Sequence, residues 1–236
     1  MSGSIELTAK SLEVLARRYR TITHNMANAN TVGFKRQIMS QSMVSQGDGT
    51  AETIAERTAI DFSQGRVVHT GRPLDVALNG KGFLVVETIE GEVYTRDGVL
   101  RTNAQSQLVD AGGRTVSGES GPIVIPPTAG THQVQISSAG TVSVGAQTIG
   151  KLRIVEFDDP NLLVPIGANS FKAPDGVASK PAETTTVHQG FQEASNVNVV
   201  EELVDLITVT RLYEANIKSV TVQDEKMKNL LQVAMG

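Results

Sequence analysis

Apolar or small side chains recur near the N-terminus at Ile5, Leu12, Tyr19 and Met26, with Thr8, Leu15, Ile22 and Ala29 interleaved. This 3-4 alternation is the seam of a coiled coil rather than a broad core-facing stripe, and it predicts a helix that stops near Asn28 to Asn30. The C-terminal end repeats the pattern at Val199, Leu203, Leu206, Thr210, Tyr213, Ile217, Val220, Asp224, Met227, Leu231 and Ala234. Only Thr210 and Asp224 interrupt the apolar run, and the helix it predicts is on the order of 50 Å long. Ser195 or Asn198 is placed to cap its start, and Glu201, Glu202 and Asp205 suit its positive N-terminal end. An antiparallel pairing sets these acids against Arg17, Arg18 and Arg20, whereas a parallel one sets the arginines near Lys218, Lys226 and Lys228.

Between the helices the periodicity changes. Residues 36 to 60 are polar with a Gly-Asp-Gly break and read as an extended connector. From about residue 62 come short apolar runs, among them "GFLVVET", "EVYT", "IVIPP" and "KLRIVEF", broken by "RDG", "DAGG" and "SAG". That is the vocabulary of hairpins, and no helix–strand alternation suggests a parallel sheet. The expected fold class is α+β: long N- and C-terminal helices pairing as an antiparallel coiled coil, with a central antiparallel β domain. The expected boundaries are 1–30 for the first helix, 31–64 for the connector, 65–190 for the β domain and 191–236 for the second helix.

Composition removes most enzymatic readings. The 236 residues are 39% hydrophobic and 19% charged with a net charge of −4, which gives no electrostatic reason to seek nucleic acid. There is no cysteine, hence no disulfide, thiolate metal site or cysteine nucleophile. His24, His69, His132 and His188 have no metal-ligand spacing. "NGKGF" lacks the lysine placement and following helix of a phosphate loop, and "SGESG" fails the spacing of a nucleophile elbow. Asp158-Asp159 before Pro160 reads as a strand-ending turn. No catalytic, metal or cofactor site is expected. Neither a secretory h-region nor a membrane span is visible, which taken alone points to the cytoplasm.

One stretch resists a purely local reading. In "HNMANANTVGFKR", Asn25, Asn28 and Asn30 are helix-stop residues, but a stop explains neither Phe34 nor Lys35-Arg36 behind it. The segment is similar to the N-x-A-N-x-x-T-x-G-F-K pattern of the bacterial flagellar axial proteins, which form rod, hook and hook–filament junction. Asn25, Ala27, Asn28, Thr31, Gly33, Phe34 and Lys35 carry it. At the other end "SNVNVVEE" and "RLYEANIK" resemble the same family through Ser195, Asn196, Val197, Glu201, Glu202, Arg211, Tyr213, Glu214, Asn216 and Lys218. "DFSQGRVVHTGRPLDVALNGKGFLVV" and "GPIVIPP" look like the rod proteins in particular. One departure is Ser11 running straight into Leu12, where the family often has a small residue followed by Gly.

The resemblance implies a non-enzymatic subunit whose terminal helices join an inner tube, whose connector braces neighbours and whose β domain lies outside. The compact connector and "GPIVIPP" resemble proximal rod subunits more than distal ones. The implied partners are the chain itself, other proximal and distal rod subunits and the flagellar type III export apparatus. No nucleic acid, membrane insertion or small-molecule substrate is implied. Export without a cleaved signal replaces the cytoplasmic expectation with the periplasmic rod. The implied subunit interface is Leu12, Leu15, Tyr19, Ile22, Met26, Asn28, Thr31, Gly33, Phe34, Leu203, Leu206, Tyr213, Ile217, Val220, Met227 and Leu231, with Phe34 plugging a neighbour. A soluble export chaperone that clamps with its helices is the alternative, and the large β domain argues against it.

Overall fold

The structure is a computed structural model and describes residues 2–45, 52–127, 130–167 and 169–235. It divides into two compact units, one of Met1–Ala27, Gln37–Ala59 and Asn198–Gly236, the other of Asn28–Arg36 and Ile60–Val197.

The larger unit is built around the strand Phe83–Thr88, whose first four residues, Phe83 to Val86, are all buried. Successive side chains on a strand point to opposite faces, so an unbroken apolar run signals cover on both. Leu84 and Val86 enter a core with Val76, Leu78, Leu100, Leu108, Val116 and Leu152. Phe83 and Val85 enter a second core with Ile60, Tyr94, Val155, Phe157, Leu163 and Phe171. Full burial of each such side chain contributes roughly 1.5–3 kcal/mol. Edge-on ring contacts order the second core, among them Tyr94–Phe157 at 4.8 Å and Phe62–Phe171 at 5.2 Å.

Phe83–Thr88 pairs antiparallel with Gly91–Thr95 on one side and with Thr115–Gly118 and Ile154–Glu156 on the other. The sheet reaches ten strands and ends at Val164–Gly167 and Arg101–Thr102. A three-stranded sheet, Val134–Ile136, Thr141–Val144 and Gln147–Lys151, supplies Val134, Ile136 and Val142 to the first core. Two strand pairs then bring the late chain back to the early chain: Thr186–Gln189 on Val76–Asn79, and Phe191–Glu193 on Val67–His69.

The smaller unit holds the two α-helices found among the described residues, α1 (Ser2–Ala27) and α2 (Val199–Met235), with the paired strands Gln37–Ser45 and Glu52–Ile60. Asn198 caps α2: its Oδ1 accepts the Val200 N–H at 3.2 Å and its carbonyl the Glu202 N–H at 3.0 Å.

The expected architecture, a central β domain flanked by long helices in an antiparallel coiled coil, is corrected here. The molecule has one helix at each end and a large antiparallel β-sheet domain, and the helices share no heptad seam. Among the described residues their buried apolar contact is Leu15, Ile22 and Val209, with Met26 and Leu206 beside them. Tyr19, Leu203, Tyr213 and Ile217, all seam positions, are exposed. Among the described side chains of α2 the buried ones are Glu202 and Val209, each one residue before a predicted seam residue. One residue is about 100° of helix rotation. A polar contact accompanies that rotation: Asn25 Nδ2 lies 3.3 Å from Glu202 Oε1 in the interior of the unit. The Asn25–Glu202 pair takes an inner position, while Leu203 and Tyr213 stay at the surface.

Candidate functional site

Asn25 is a clamp rather than a helix stop. Its Nδ2 donates to the Gln37 carbonyl at 2.8 Å and its Oδ1 accepts the Gln37 N–H at 2.9 Å. The side-chain amide thus imitates a strand partner and holds the chain where it returns after α1. Asn28 and Thr31 form the turn that follows, with Thr31 N–H donating to the Asn28 carbonyl at 3.0 Å and Thr31 Oγ1 lying 3.2 Å from Asn28 Oδ1.

The chain then runs on through Gly33, Phe34 and Lys35 within the larger unit. Gly33 sits at φ +67°, and a Cβ there would stand 2.6 Å from the Arg96 carbonyl carbon. Both its backbone angle and its surroundings therefore demand glycine. Its N–H donates to the Glu193 carbonyl at 2.7 Å.

Lys35 Nζ, 2.7 Å from Glu193 Oε1, forms an ion pair in which both side chains are essentially inaccessible. Glu193 also accepts the Gly65 N–H at 2.9 Å and faces Arg96 Nη1 at 3.4 Å. Lys35 donates to the Ser63 carbonyl at 2.7 Å, and Arg96 to the Gly80 carbonyl at 2.6 Å while lying over the Phe83 ring. Burial pushes the Lys35 ammonium below its ordinary value, with the Glu193 carboxylate opposing that shift. Arg96 is lowered for the same reason and opposed by the same group. Two cations on one hydrogen-bonded carboxylate make this a positional lock, because losing any member strands a buried charge.

Asn196 completes the closure. Its Oδ1 accepts the Arg36 N–H at 2.7 Å, its Nδ2 donates to the Asp61 carbonyl at 2.8 Å, and its own N–H reaches the Phe34 carbonyl at 3.4 Å. The "GFKR" and "SNVN" segments, about 160 residues apart in sequence, are thus hydrogen-bonded directly to each other. The sequence reading quoted both segments and missed their joint. Glu193 and Arg96 were not singled out at all, since an isolated Glu and an isolated Arg in β-rich sequence carry no spacing signal.

The predicted interface residues separate by exposure. Leu15, Ile22, Gly33 and Phe34 are buried within this chain. Leu12, Met26, Asn28, Thr31, Leu206 and Val220 are half-buried. Tyr19, Leu203, Tyr213 and Ile217 face outward. The side chains of Met227 and Leu231 lie outside the described residues. Val200, Val204 and Ile207, also exposed, extend the apolar surface of α2 beyond the seam: Val204 lies about 140° of helix rotation from Ile217, whereas Ile207 is about one turn beyond Leu203 on the same side. Among the described residues no helix is long and apolar enough to cross a membrane.

The family described as flagellar basal body rod FlgEFG protein C-terminal matches residues 188–233, and the flagellar hook protein FlgE/F/G D1 domain matches residues 77–144. The chain is 34% identical to the flagellar basal-body rod protein FlgF of Caulobacter vibrioides, with 85% of each chain covered. It is 30% identical to FlgG of Buchnera aphidicola subsp. Schizaphis graminum over 99% of this chain and 100% of the relative. To FlgG of Bacillus subtilis it is 30% identical over 90% of this chain and 91% of the relative. With sequence likeness of this extent running through both clasped segments, the chain belongs to the flagellar basal-body rod protein family.

Proposed function

We propose that this rod structural subunit is a FlgF-like component of the proximal rod. In this reading it leaves the cell through the flagellar type III export apparatus without a cleaved signal. It then polymerises in the periplasm with itself and other rod subunits into the shaft that carries motor torque to the hook. One observation supports the assembly surface above others. α2 exposes apolar side chains on more than one side, from Ile217 at 42% to Val200 at 70%. A helix that is hydrophobic on several sides belongs in a packed interior, and the described residues of this chain cover one face. Neighbouring subunits supply the remaining cover, and contacts on different sides of one helix propagate an assembly rather than close a dimer.

The test replaces the native gene with Val204→Asp or Ile217→Asp and examines purified basal bodies. Because both positions are exposed, each variant folds and is exported normally but is absent from the rod. Rods containing either variant at the native level refute the assigned surface. A distal-rod, FlgG-like role is the second reading, favoured by the end-to-end match to FlgG. Complementation decides between them: the proximal reading requires rescue of a strain lacking the proximal subunit and no rescue of one lacking the distal subunit.

A further inference from the structure

The strand Phe83–Thr88 carries opposite features at its two ends. At the Thr88 end the chain turns back through Ile89 and Glu90 into Gly91–Thr95. Ile89 is fully exposed. The tip is held rigid, with Thr88 Oγ1 donating to the Gly91 carbonyl at 2.7 Å and the Glu90 N–H reaching Thr88 Oγ1 at 3.3 Å. Of the acids around it, Glu87 accepts from Ser117 and Glu92 pairs with Arg153, while Glu90 is exposed beside Ile89.

At the Phe83 end lies a recess of about 420 Å³ walled by Phe62, Phe83 and Phe157. Phe62–Phe83 and Phe83–Phe157 stand 5.7 and 6.0 Å apart in edge-on contact, so the walls are themselves braced. Of the charged groups there, Asp158 is paired with Lys180, and Asp61 accepts the Ser63 N–H and lies in the field of Lys35. Arg96 is held by Glu193 and the Gly80 carbonyl. Lys81 is exposed and forms no ion pair among the described residues.

We infer that the Ile89–Glu90 tip of one copy docks in the aromatic recess of a second copy, with Ile89 against Phe62, the most exposed of the three rings, and Glu90 facing Lys81. This goes beyond the rod reading but rests on it, since the contact operates between assembled subunits. An apolar knob meets a recess with aromatic walls, and an exposed acid meets an exposed base. The two features are separated by the length of one six-residue strand, roughly 17 Å at 3.4 Å per residue, so a copy does not fill its own socket. A knob at one end and a socket at the other make a heterologous contact, which propagates along the strand direction instead of closing on itself. One isoleucine is too little surface to hold a dimer in dilute solution, so the contact acts only among subunits already gathered by their helices.

The chain's lack of cysteine makes a direct test available. The double variant Ile89→Cys/Asn161→Cys, incorporated into rods and oxidised, yields a ladder of disulfide-linked multimers, whereas either single variant yields none beyond dimers. Ile89→Asp and Lys81→Glu each lower incorporation about tenfold, as expected for losing one buried apolar side chain or reversing one charge at its rim. Lys81→Glu combined with Glu90→Lys restores it. Absence of the ladder, or native incorporation of Ile89→Asp, overturns the inference. Incorporation of the native chain in the same preparations tests the rod placement separately, so the two failures are distinguishable.

Discussion

Asn25, Gly33, Lys35 and Asn196 each hold two stretches of chain that sequence distance keeps apart. Lys35→Met removes one of two cations from a carboxylate that stays buried, and such a loss costs about 3–5 kcal/mol. Urea unfolding followed through a probe in the larger unit should show its midpoint fall accordingly, and an unchanged midpoint would mean that Arg96 and Gly65 suffice for Glu193. Asp97 gives a pH-dependent case. Burial raises its carboxyl above the ordinary value, against the opposing effect of the Val99 N–H that its Oδ1 accepts at 3.0 Å. A raised value in the folded state means that the native protein binds more protons than the unfolded chain between the two values. The contribution to stability is therefore complete below the ordinary carboxylate value and is lost as pH rises through the raised one. Asp97→Asn keeps the acceptor for Val99 and removes the titration. The stability of native protein minus that of Asp97→Asn should fall as pH rises from the ordinary carboxylate value through the raised one, and a flat difference would contradict the shift.

At the scale of elements, α1 and α2 show how exposure assigns different roles to residues of similar chemistry. Leu15 is 8% exposed and packs on Ile22 and Val209. Leu15→Ala should cost about 2–5 kcal/mol in the smaller unit, because truncating a buried leucine loses transfer energy and leaves a cavity. Ile217→Ala should leave the isolated chain within about 0.5 kcal/mol of native, since an exposed position away from special features contributes little. Paired thermal denaturation of the two variants checks this, and equal losses would show that Ile217 is buried in the free subunit. The β strands behave differently because their alternation places every second residue in a fixed core. Phe83 and Leu84 are adjacent in sequence and lie in separate clusters.

Across the whole molecule the two units differ in how they are held. The larger has two apolar cores and a buried ion cluster. Among the described residues the smaller has three buried apolar side chains, and the stretch of α2 from Thr210 to Ala215 is exposed at every position. Few buried contacts mean low local stability against opening. Backbone amides of α2 beyond Thr210 should exchange with solvent much faster in the isolated chain than those of Phe83–Thr88. They should become protected in assembled rods, where neighbours cover the helix. Hydrogen exchange on both forms measures this directly, and equal protection of α2 in the two forms would refute assembly as its source of cover.

Periodicity alone was enough to read a helix at each end and hairpins between, because repeat length follows from local backbone geometry. "GFLVVET" and "EVYT" read as strands and are the central pair of the sheet. Likewise "HNMANANTVGFKR" stood out on composition, since asparagines, a glycine and a lone phenylalanine do not continue a helix. Which face of α2 turns inward was not legible. Apolar side chains occupy several sides of that helix, and the inner face holds Val209 and the Asn25–Glu202 contact, which joins residues 177 apart in sequence. The same holds for the lock of Lys35, Glu193 and Arg96. Its chemistry consists of three ordinary charged residues, and only tertiary folding, by removing water and bringing them within hydrogen-bond distance, makes them a unit.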